Sequence, residues 1–231
     1  MVTEVLKDKK LLIIGGTGVE NINIIDAARQ MGVHCTVVDR VTDPALTPAK
    51  RIADAAWDMD YSDIDALVKK CKEHGIDGIM AGYSEPRVLV AAKASEKLGY
   101  PFYATSQQLE LTRNKRTFKD HCKKYGIPIP RDFCYGNPPS EEEKAKIEFP
   151  VIVKPTDYGG RKGITICFSR EELDDAIDLA LKYSFSGTIV IEEYIHGREL
   201  MAIYTIVDGV ATLSCLNEKY LAQDVKRLSG L

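Results

Sequence analysis

The sequence predicts an α/β protein in which a parallel, doubly wound sheet is followed by a second, α+β part. Over about the first 105 residues, short apolar runs alternate with helical patterns, which is typical of parallel strands joined by crossover helices. Further along, strand patterns follow one another more directly, and two of them flank an Asp-Gly turn, which favours antiparallel pairing. We therefore expect two folding units of different topology.

Four strands are predicted in the first part. Continuous apolar runs at 11–14, 35–38 and 76–81 fit strands that are buried on both faces, and 100–104 is predicted as a shorter fourth strand. Alternation with helices within one continuous stretch of chain indicates that these strands are parallel.

Helices are predicted between these strands. Ile24, Ala28 and Met31 recur at helical spacing in the first helix, and Ser62 with Asp65 resembles a capping box at the start of another. Glycines mark the predicted C-terminal ends of three helices, since glycine adopts the left-handed cap conformation easily: Gly32, Gly75 and Gly99.

The second part is predicted to be mostly antiparallel. Strands are expected at 131–135, 151–154, 164–168, 188–195, 199–207 and 210–216. A helix capped by Ser169 should bury a face that consists of Leu173, Ala176, Ile177 and Ala180. The change of rhythm places the domain boundary near residue 106, which gives domains 1–106 and 107–231.

Composition excludes several classes of protein. The 231 residues carry 31 Lys+Arg against 34 Asp+Glu, a formal net charge of −3. This near-neutral balance argues against nucleic-acid and membrane-surface binding, because both need a positively charged protein surface. No apolar run approaches the roughly 18 residues of a membrane span, and the N-terminal segment does not resemble a signal peptide. We expect a cytoplasmic protein without nucleic-acid or membrane partners.

Cysteine and histidine spacing predicts neither a metal site nor a redox site. The six cysteines contain no C-x-x-C pair, and the four histidines are scattered. Zinc sites and redox dithiols need closely spaced ligands, so reduced and mostly buried thiols are expected. No catalytic side chain can be named from spacing.

A glycine-rich turn, GGTG at 15–18, follows the first predicted strand. Such a turn can present backbone N–H groups to an anion. The dinucleotide pattern requires a third glycine where this chain has Asn21, although Asp39 ends the second strand where a ribose-binding acid would stand. A nicotinamide cofactor site and a turn required only for packing both stay open.

The second group of candidates is cationic. Lys115 follows Asn114 at a helix start, and Lys154 follows three buried β-branched residues, a position that requires a cleft or an anionic partner. The loop after Lys154, with the sequence DYGGRKG, can bring backbone donors and cations onto a polyphosphate. A solvated surface charge remains the alternative for each lysine alone.

Acidic residues follow in the segment IVIEEYIHGREL. Strand alternation sends Glu192 and Glu193 to opposite faces, so they do not form a paired-carboxylate dyad. One of them can meet an adenine amino group in a cleft, and Glu199 can accept from ribose hydroxyls. For each of them alone, a solvated acid at a strand edge is the alternative.

Three segments together resemble the ATP-grasp superfamily: NKRTFKDHCKKYGIPIPRDF, FPVIVKPTDYGGRKGITIC and IVIEEYIHGREL. The preceding hundred or so residues resemble the Rossmann-like domain before such domains. Within that part, IDGIMAGYSEPRVLVAAKASEKLGYPFYA is similar to relatives of the carbamoyl-phosphate synthase large subunit. The resemblance covers nearly the whole chain.

The resemblance implies a role for each candidate. Lys115 and Lys154 match lysines that contact the nucleotide phosphates, Glu192 matches the residue at the adenine amino group, and Glu199 matches the ribose-binding acid. The backbone around Glu193 and Ile195 matches the hinge that reads the adenine edge. The mobile loop over the triphosphate corresponds to 157–163, with Gly159, Gly160, Arg161 and Gly163 as cofactor-binding residues.

The implied activity is ATP-dependent ligation. Family enzymes phosphorylate a small-molecule carboxylate, and a nitrogen or other nucleophile attacks the acylphosphate. Lysines, backbone donors and Mg²⁺ stabilise the migrating charge.

The family's magnesium ligands lie well after the hinge, so this resemblance puts them outside the chain. We expect a truncated ATP-grasp domain that binds nucleotide but does not turn over. A nicotinamide-dependent oxidoreductase and a non-catalytic nucleotide-binding module are the two alternatives.

Overall fold

The computed structural model describes residues 2–158 and 162–219. The chain forms two compact units, Met1–Leu111 and Thr112–Leu231. Within the described residues, every helix is too short or too polar to span a lipid bilayer.

The first unit is built on a parallel sheet of four strands in the order β3-β2-β1-β4. In chain order, the elements up to the unit boundary are α1 (Val2–Leu6), β1 (Lys10–Ile14), α2 (Glu20–Gln30), β2 (His34–Asp39), α3 (Pro48–Ile52), β3 (Ala55–Asp58), α4 (Ile64–His74), β4 (Gly78–Ala81), α5 (Glu85–Leu98) and α6 (Ser106–Arg113).

Helices cover both faces of this sheet, as the sequence predicts for a doubly wound fold. Leu12 and Ile14 of β1 lie in one buried cluster with side chains of α4 and α5. Ile13, between them, points to the opposite face and lies in a second cluster with Ile25 of α2 and Ala49 of α3. The alternation along β1 therefore builds two cores from one strand.

One strand assignment in the first part was wrong, and one strand was missed. Residues 100–104 form no strand, because Pro101 has no N–H for a ladder and the Tyr100 N–H bonds instead to the Ser95 carbonyl at the end of α5 (2.9 Å). The fourth strand is β3, at the edge of the sheet beside β2. Its sequence, AAWD, carries no β-branched residue and gave no strand signal.

Helix details also differ from the prediction. Asp63, rather than Ser62, is the N-cap of α4, since its carboxylate accepts from the Ala66 N–H. In α2 the buried face contains Ile25 and Ala28, while Met31 lies beyond the helix and is exposed. The helix α6 was not predicted.

The second unit contains an antiparallel sheet in the order β5-β8-β6-β7 and a separate two-stranded hairpin. Its elements are α7 (Lys115–Lys124), β5 (Asp132–Gly136), α8 (Glu141–Lys144), β6 (Val151–Pro155), β7 (Thr165–Cys167), a 3-10 turn (Arg170–Glu172), α9 (Leu173–Tyr183), β8 (Ile189–Glu193), β9 (Glu199–Val207) and β10 (Val210–Lys219). The predicted α+β, antiparallel character is confirmed.

One face of the four-stranded sheet packs on α9. The four predicted residues of α9 are buried against Val151 and Val153 of β6 and Ile189 and Ile191 of β8. Ser169 makes no side-chain cap; it precedes the 3-10 turn, so the predicted capping by this residue was wrong.

The predicted hairpin is confirmed. Asp208 and Gly209 join β9 to β10 with φ of 50° and 77°, the positive values that a type I′ turn requires. Large apolar side chains on both strands are exposed, Ile206 (69%) and Leu213 (51%) among them. The hairpin therefore has no buried side among the described residues.

Candidate functional site

The sheet face opposite α9 carries charged side chains. Ile152 of β6 lies directly across from Glu192 of β8, so both point to the same face, and Lys154, two residues after Ile152, shares it. Asp132 of β5 pairs with Glu192 from the other side. Three strands thus place two acids and one lysine on one face.

A four-residue ion cluster forms there. The two oxygens of Glu192 accept from different lysines: Oε1 from Lys154 and Oε2 from Lys119 of α7. Lys119 also donates to Asp132. Glu192 is 3% exposed, so its charge depends on these partners, because an unpaired buried carboxylate is very costly.

Lys115 lies at the first position of α7. Its predecessor, Asn114, caps the helix by accepting from the N–H groups of Arg116 (2.9 Å) and Thr117 (3.2 Å). The Lys115 Nζ donates to the carbonyls of Thr156 and Tyr158, both at 3.3 Å. This lysine is therefore held beside the start of the loop that follows Lys154.

The start of that loop is anchored by Asp157. Its carboxylate accepts from the Ser184 hydroxyl (3.1 Å) and from the N–H groups of Phe185 (3.1 Å) and Ser186 (2.7 Å). Burial alone would raise the pKa of Asp157, but these hydrogen bonds outweigh it and lower that pKa. Tyr158 stacks on Phe185 with 5.3 Å between ring centroids.

Three predicted loop residues, Gly159, Gly160 and Arg161, lie outside the described residues. Gly163, on the far side of the loop, has φ of +73°, and a Cβ at this position would lie 3.0 Å from the Tyr183 Cβ. Both the backbone conformation and the close approach require glycine there.

The predicted hinge follows β8. The Glu193 N–H donates to the Arg131 carbonyl (2.9 Å) and the Tyr194 N–H to the Pro150 carbonyl (3.0 Å), so neighbouring segments hold the chain as far as Tyr194. The Ile195 side chain is exposed. Glu199, at the start of β9, pairs with Lys219 within the hairpin rather than with the ion cluster.

Sequence reasoning missed Lys119 and Asp132. Lys119 lies four residues after Lys115, the spacing that puts two residues on one helix face, so helical periodicity could have selected it. Asp132 had no comparable signal, because its role depends on β5 pairing with β8, and the order of strands in a sheet is not a local property.

In the GGTG turn of the first unit, backbone N–H groups bond to a side chain of the same unit. Asp39 is 2% exposed, and its carboxylate accepts from the Gly16 N–H (2.7 Å) and more weakly from the Thr17 N–H (3.4 Å). Arg87 of α5 donates to the Thr17 hydroxyl (2.5 Å). The Gly16 and Thr17 N–H groups are therefore already paired with a buried carboxylate of the same unit.

The cysteines are unpaired, and four of the six are buried, as predicted. Burial raises the pKa of Cys35, Cys71 and Cys167 to about 11, so these thiols are protonated at neutral pH and are poor nucleophiles. No group of three His, Cys, Asp or Glu side chains within residues 2–158 and 162–219 could hold a metal ion.

Fold and site define a two-unit α/β protein with paired lysines and acids on the face of an antiparallel sheet that lies opposite α9. The chain belongs to the ATP-grasp superfamily. Residues 25–102 match the family model of the ATP-grasp N-terminal domain, and residues 132–225 match that of the D-Ala–D-Ala ligase C-terminus.

Relatives include ligases and synthases. The chain is 27% identical over 177 residues to the chloroplastic phosphoribosylamine–glycine ligase of Arabidopsis thaliana, a match covering 74% of this chain and 32% of that enzyme. It is 25% identical over 214 residues to the carbamoyl phosphate synthase large chain of Clostridium perfringens, covering 87% of this chain and 20% of that one.

Among solved structures, an ADP complex of N5-carboxyaminoimidazole ribonucleotide synthetase shares the fold. Its TM-score is 0.75 at 24% identity, and the match covers 95% of this chain and 56% of that one. The chain thus spans a fifth to a third of the two curated relatives and just over half of this structure.

Proposed function

We propose that this chain is the nucleotide-binding part of an ATP-dependent ligase that activates a small-molecule carboxylate for attack by a nitrogen nucleophile. Residues 1–106 would be the domain that precedes the ATP-grasp domain, and 107–231 the N-terminal part of the latter. A cytoplasmic location belongs to the same proposal.

One observation carries the proposal: Lys154 and Glu192 meet on the sheet face opposite α9. A lysine that is largely buried on a strand needs an anionic partner. Glu192 supplies one in the structure as it stands, and nucleotide phosphates would supply a stronger one. The same carboxylate is an acceptor of the kind that an adenine amino group requires.

The position of Lys115 supports the proposal independently. Its ammonium contacts two carbonyls at the start of the glycine-rich loop, contacts of 3.3 Å that are longer than usual charge-assisted bonds. A phosphate beside the loop would lie close to the same ammonium group. Gly159, Gly160, Arg161 and Gly163 would then contribute loop donors, Glu193 and Ile195 the hinge contacts with the base, and Glu199 a ribose contact.

ATP would supply the phosphoryl group that activates the carboxylate. The contribution of this chain to the reaction would be electrostatic, since Lys115 and Lys154 would stabilise the negative charge of the phosphates. The described residues bring no three His, Cys, Asp or Glu side chains together as a metal site, so we assign no metal ligand and derive no step through a metal.

Calorimetric titration with ATP, and separately with NADH, tests the proposal. We expect ATP to bind and NADH not to bind. Replacing Lys154 with Ala removes a charge-assisted contact and should weaken ATP binding about tenfold to a hundredfold. Lys146→Ala, which removes an exposed lysine in the same unit, is the matched control and should leave the affinity unchanged.

Binding of NADH without ATP would overturn the proposal in favour of an oxidoreductase. Absence of ATP binding would remove the nucleotide-binding role altogether. We also expect no steady release of phosphate from ATP by the 231-residue chain; turnover that is lost on Lys154→Ala would contradict this part.

A further inference from the structure

Glu192 is held from two directions by two different elements. Lys154 of the neighbouring strand β6 donates to Oε1, and Lys119 of α7 donates to Oε2. The side chain of Glu192 is 4% exposed and that of Lys119 12%. Of the two lysines, only Lys154 belongs to the motif expected to contact phosphates.

Lys119 has a second acid that keeps it in place. Asp132 and Glu192 lie directly opposite each other on β5 and β8, an arrangement that is repulsive for two carboxylates unless a cation lies between them. Lys119 donates to both. Burial alone would lower the pKa of Lys119, but the hydrogen bonds to Asp132 and Glu192 outweigh it and raise that pKa, so the ammonium is charged at neutral pH.

The two lysines would behave differently when nucleotide binds. Under the proposed function Lys154 contacts phosphate, and its pairing with Glu192 is then weakened or lost. Lys119 remains, because it bridges two acids that the sheet holds in register. It is therefore the cation that would keep the Glu192 carboxylate oriented in the bound state.

We propose that Lys119 is a positioning residue that fixes the Glu192 carboxylate as a hydrogen-bond acceptor and thereby makes the site select a 6-aminopurine over a 6-oxopurine. The inference rests on the proposed function. An ionised carboxylate has about four acceptor positions, so the two lysine bonds leave room for an amino group. It repels the carbonyl oxygen of a 6-oxopurine.

The test compares three ligands: ADP, inosine diphosphate and inorganic tripolyphosphate. Inosine diphosphate differs from ADP in carrying a carbonyl where adenine has its amino group, and tripolyphosphate reports on the phosphate end alone. We expect the wild-type chain to bind ADP at least tenfold more tightly than inosine diphosphate, since a site built around one hydrogen bond rejects the analogue that cannot make it.

Lys119→Met should reduce the ADP-to-inosine-diphosphate ratio about tenfold while changing tripolyphosphate affinity less than twofold. Lys119→Arg keeps the charge and should keep the ratio. Lys123→Met, on the exposed side of the same helix, is the matched control and should behave like the wild type. Thermal unfolding of each variant checks that it is folded.

A double-mutant comparison keeps the inference testable if Lys119→Met folds poorly. Glu192→Gln should reduce the ratio by itself, and adding Lys119→Met to it should cause no further loss, because the lysine acts through that carboxylate. In the double variant the side chain at position 192 is neutral, so removing the lysine leaves no unpaired charge at that position.

Three outcomes would overturn the inference. One is an unchanged ratio in Lys119→Met; another is an equal loss of ADP and tripolyphosphate affinity, which would indicate a purely structural role. The third is an additive effect in the double variant. A wild-type chain that binds none of the three ligands would instead defeat the proposed function on which the inference depends.

Discussion

Asp157 illustrates how a single residue can connect two segments of the second unit. It lies just after β6, at the start of the loop expected to cover the phosphates, and its carboxylate accepts hydrogen bonds from the segment 184–186 that follows α9. These bonds hold Asp157 to the segment 184–186, so the position of the first residues of the loop is fixed.

Asp157→Asn should destabilise the second unit at neutral pH by about 1–2 kcal/mol, because bonds to a charged acceptor are stronger than those to a neutral one. The folded-state pKa of Asp157 is lowered from its ordinary value of 3.8. Its stabilising contribution is therefore complete above pH 3.8 and is lost as the pH falls through the folded-state pKa.

Urea unfolding of the two proteins at pH 7 and at pH 3 measures this difference in the free energy of unfolding. We expect the gap between wild type and variant to narrow at the lower pH. A gap of the same size at both values would show that the Asp157 charge is not what anchors the loop.

At the scale of elements, α7 carries both lysines that the candidate site takes from a helix. Its start is defined by Asn114, and from that start Lys115 and Lys119 follow on one face, one turn apart. The cap therefore determines where both ammonium groups lie.

Asn114→Ala should cost about 1 kcal/mol of stability, since two N–H groups at the helix start lose their acceptor. Asn114→Asp keeps an acceptor oxygen and should be nearly neutral. Urea unfolding followed by circular dichroism distinguishes the two. Equal losses in both variants would mean that the acceptor oxygen at position 114 is not what stabilises the start of the helix.

For the whole molecule, the strands β1, β2 and β4 and the change from parallel to antiparallel topology could be predicted from the sequence. Burial on both faces leaves continuous apolar runs in β1 and β2, and Asp208-Gly209 has one favourable hairpin geometry. Short edge strands could not be predicted, because β3 is a strand only through its pairing with β2.

The candidate site was predictable only where its residues lie in local motifs. Lys115, Lys154 and Glu192 each lie in a recognisable local motif, so they could be selected from the sequence as candidate site residues. Their relation to Asp132 depends on β8 lying between β5 and β6, which links residues 132 and 192 across sixty positions. No local pattern specifies that pairing.

The exposed hairpin of β9 and β10 has a kinetic consequence. Its backbone is paired along the length of both strands, but no buried cluster within the described residues includes its side chains. Opening the hairpin therefore exposes little additional apolar surface, and we expect its amide hydrogens to exchange with deuterium through local fluctuations, much faster than those of β6 and β8 in the same unit. Mass spectrometry measures the deuterium uptake of peptides from 199–219 and compares it with that of peptides from 151–155 and 189–193. Equal protection from exchange would mean that the hairpin unfolds only together with the rest of its unit.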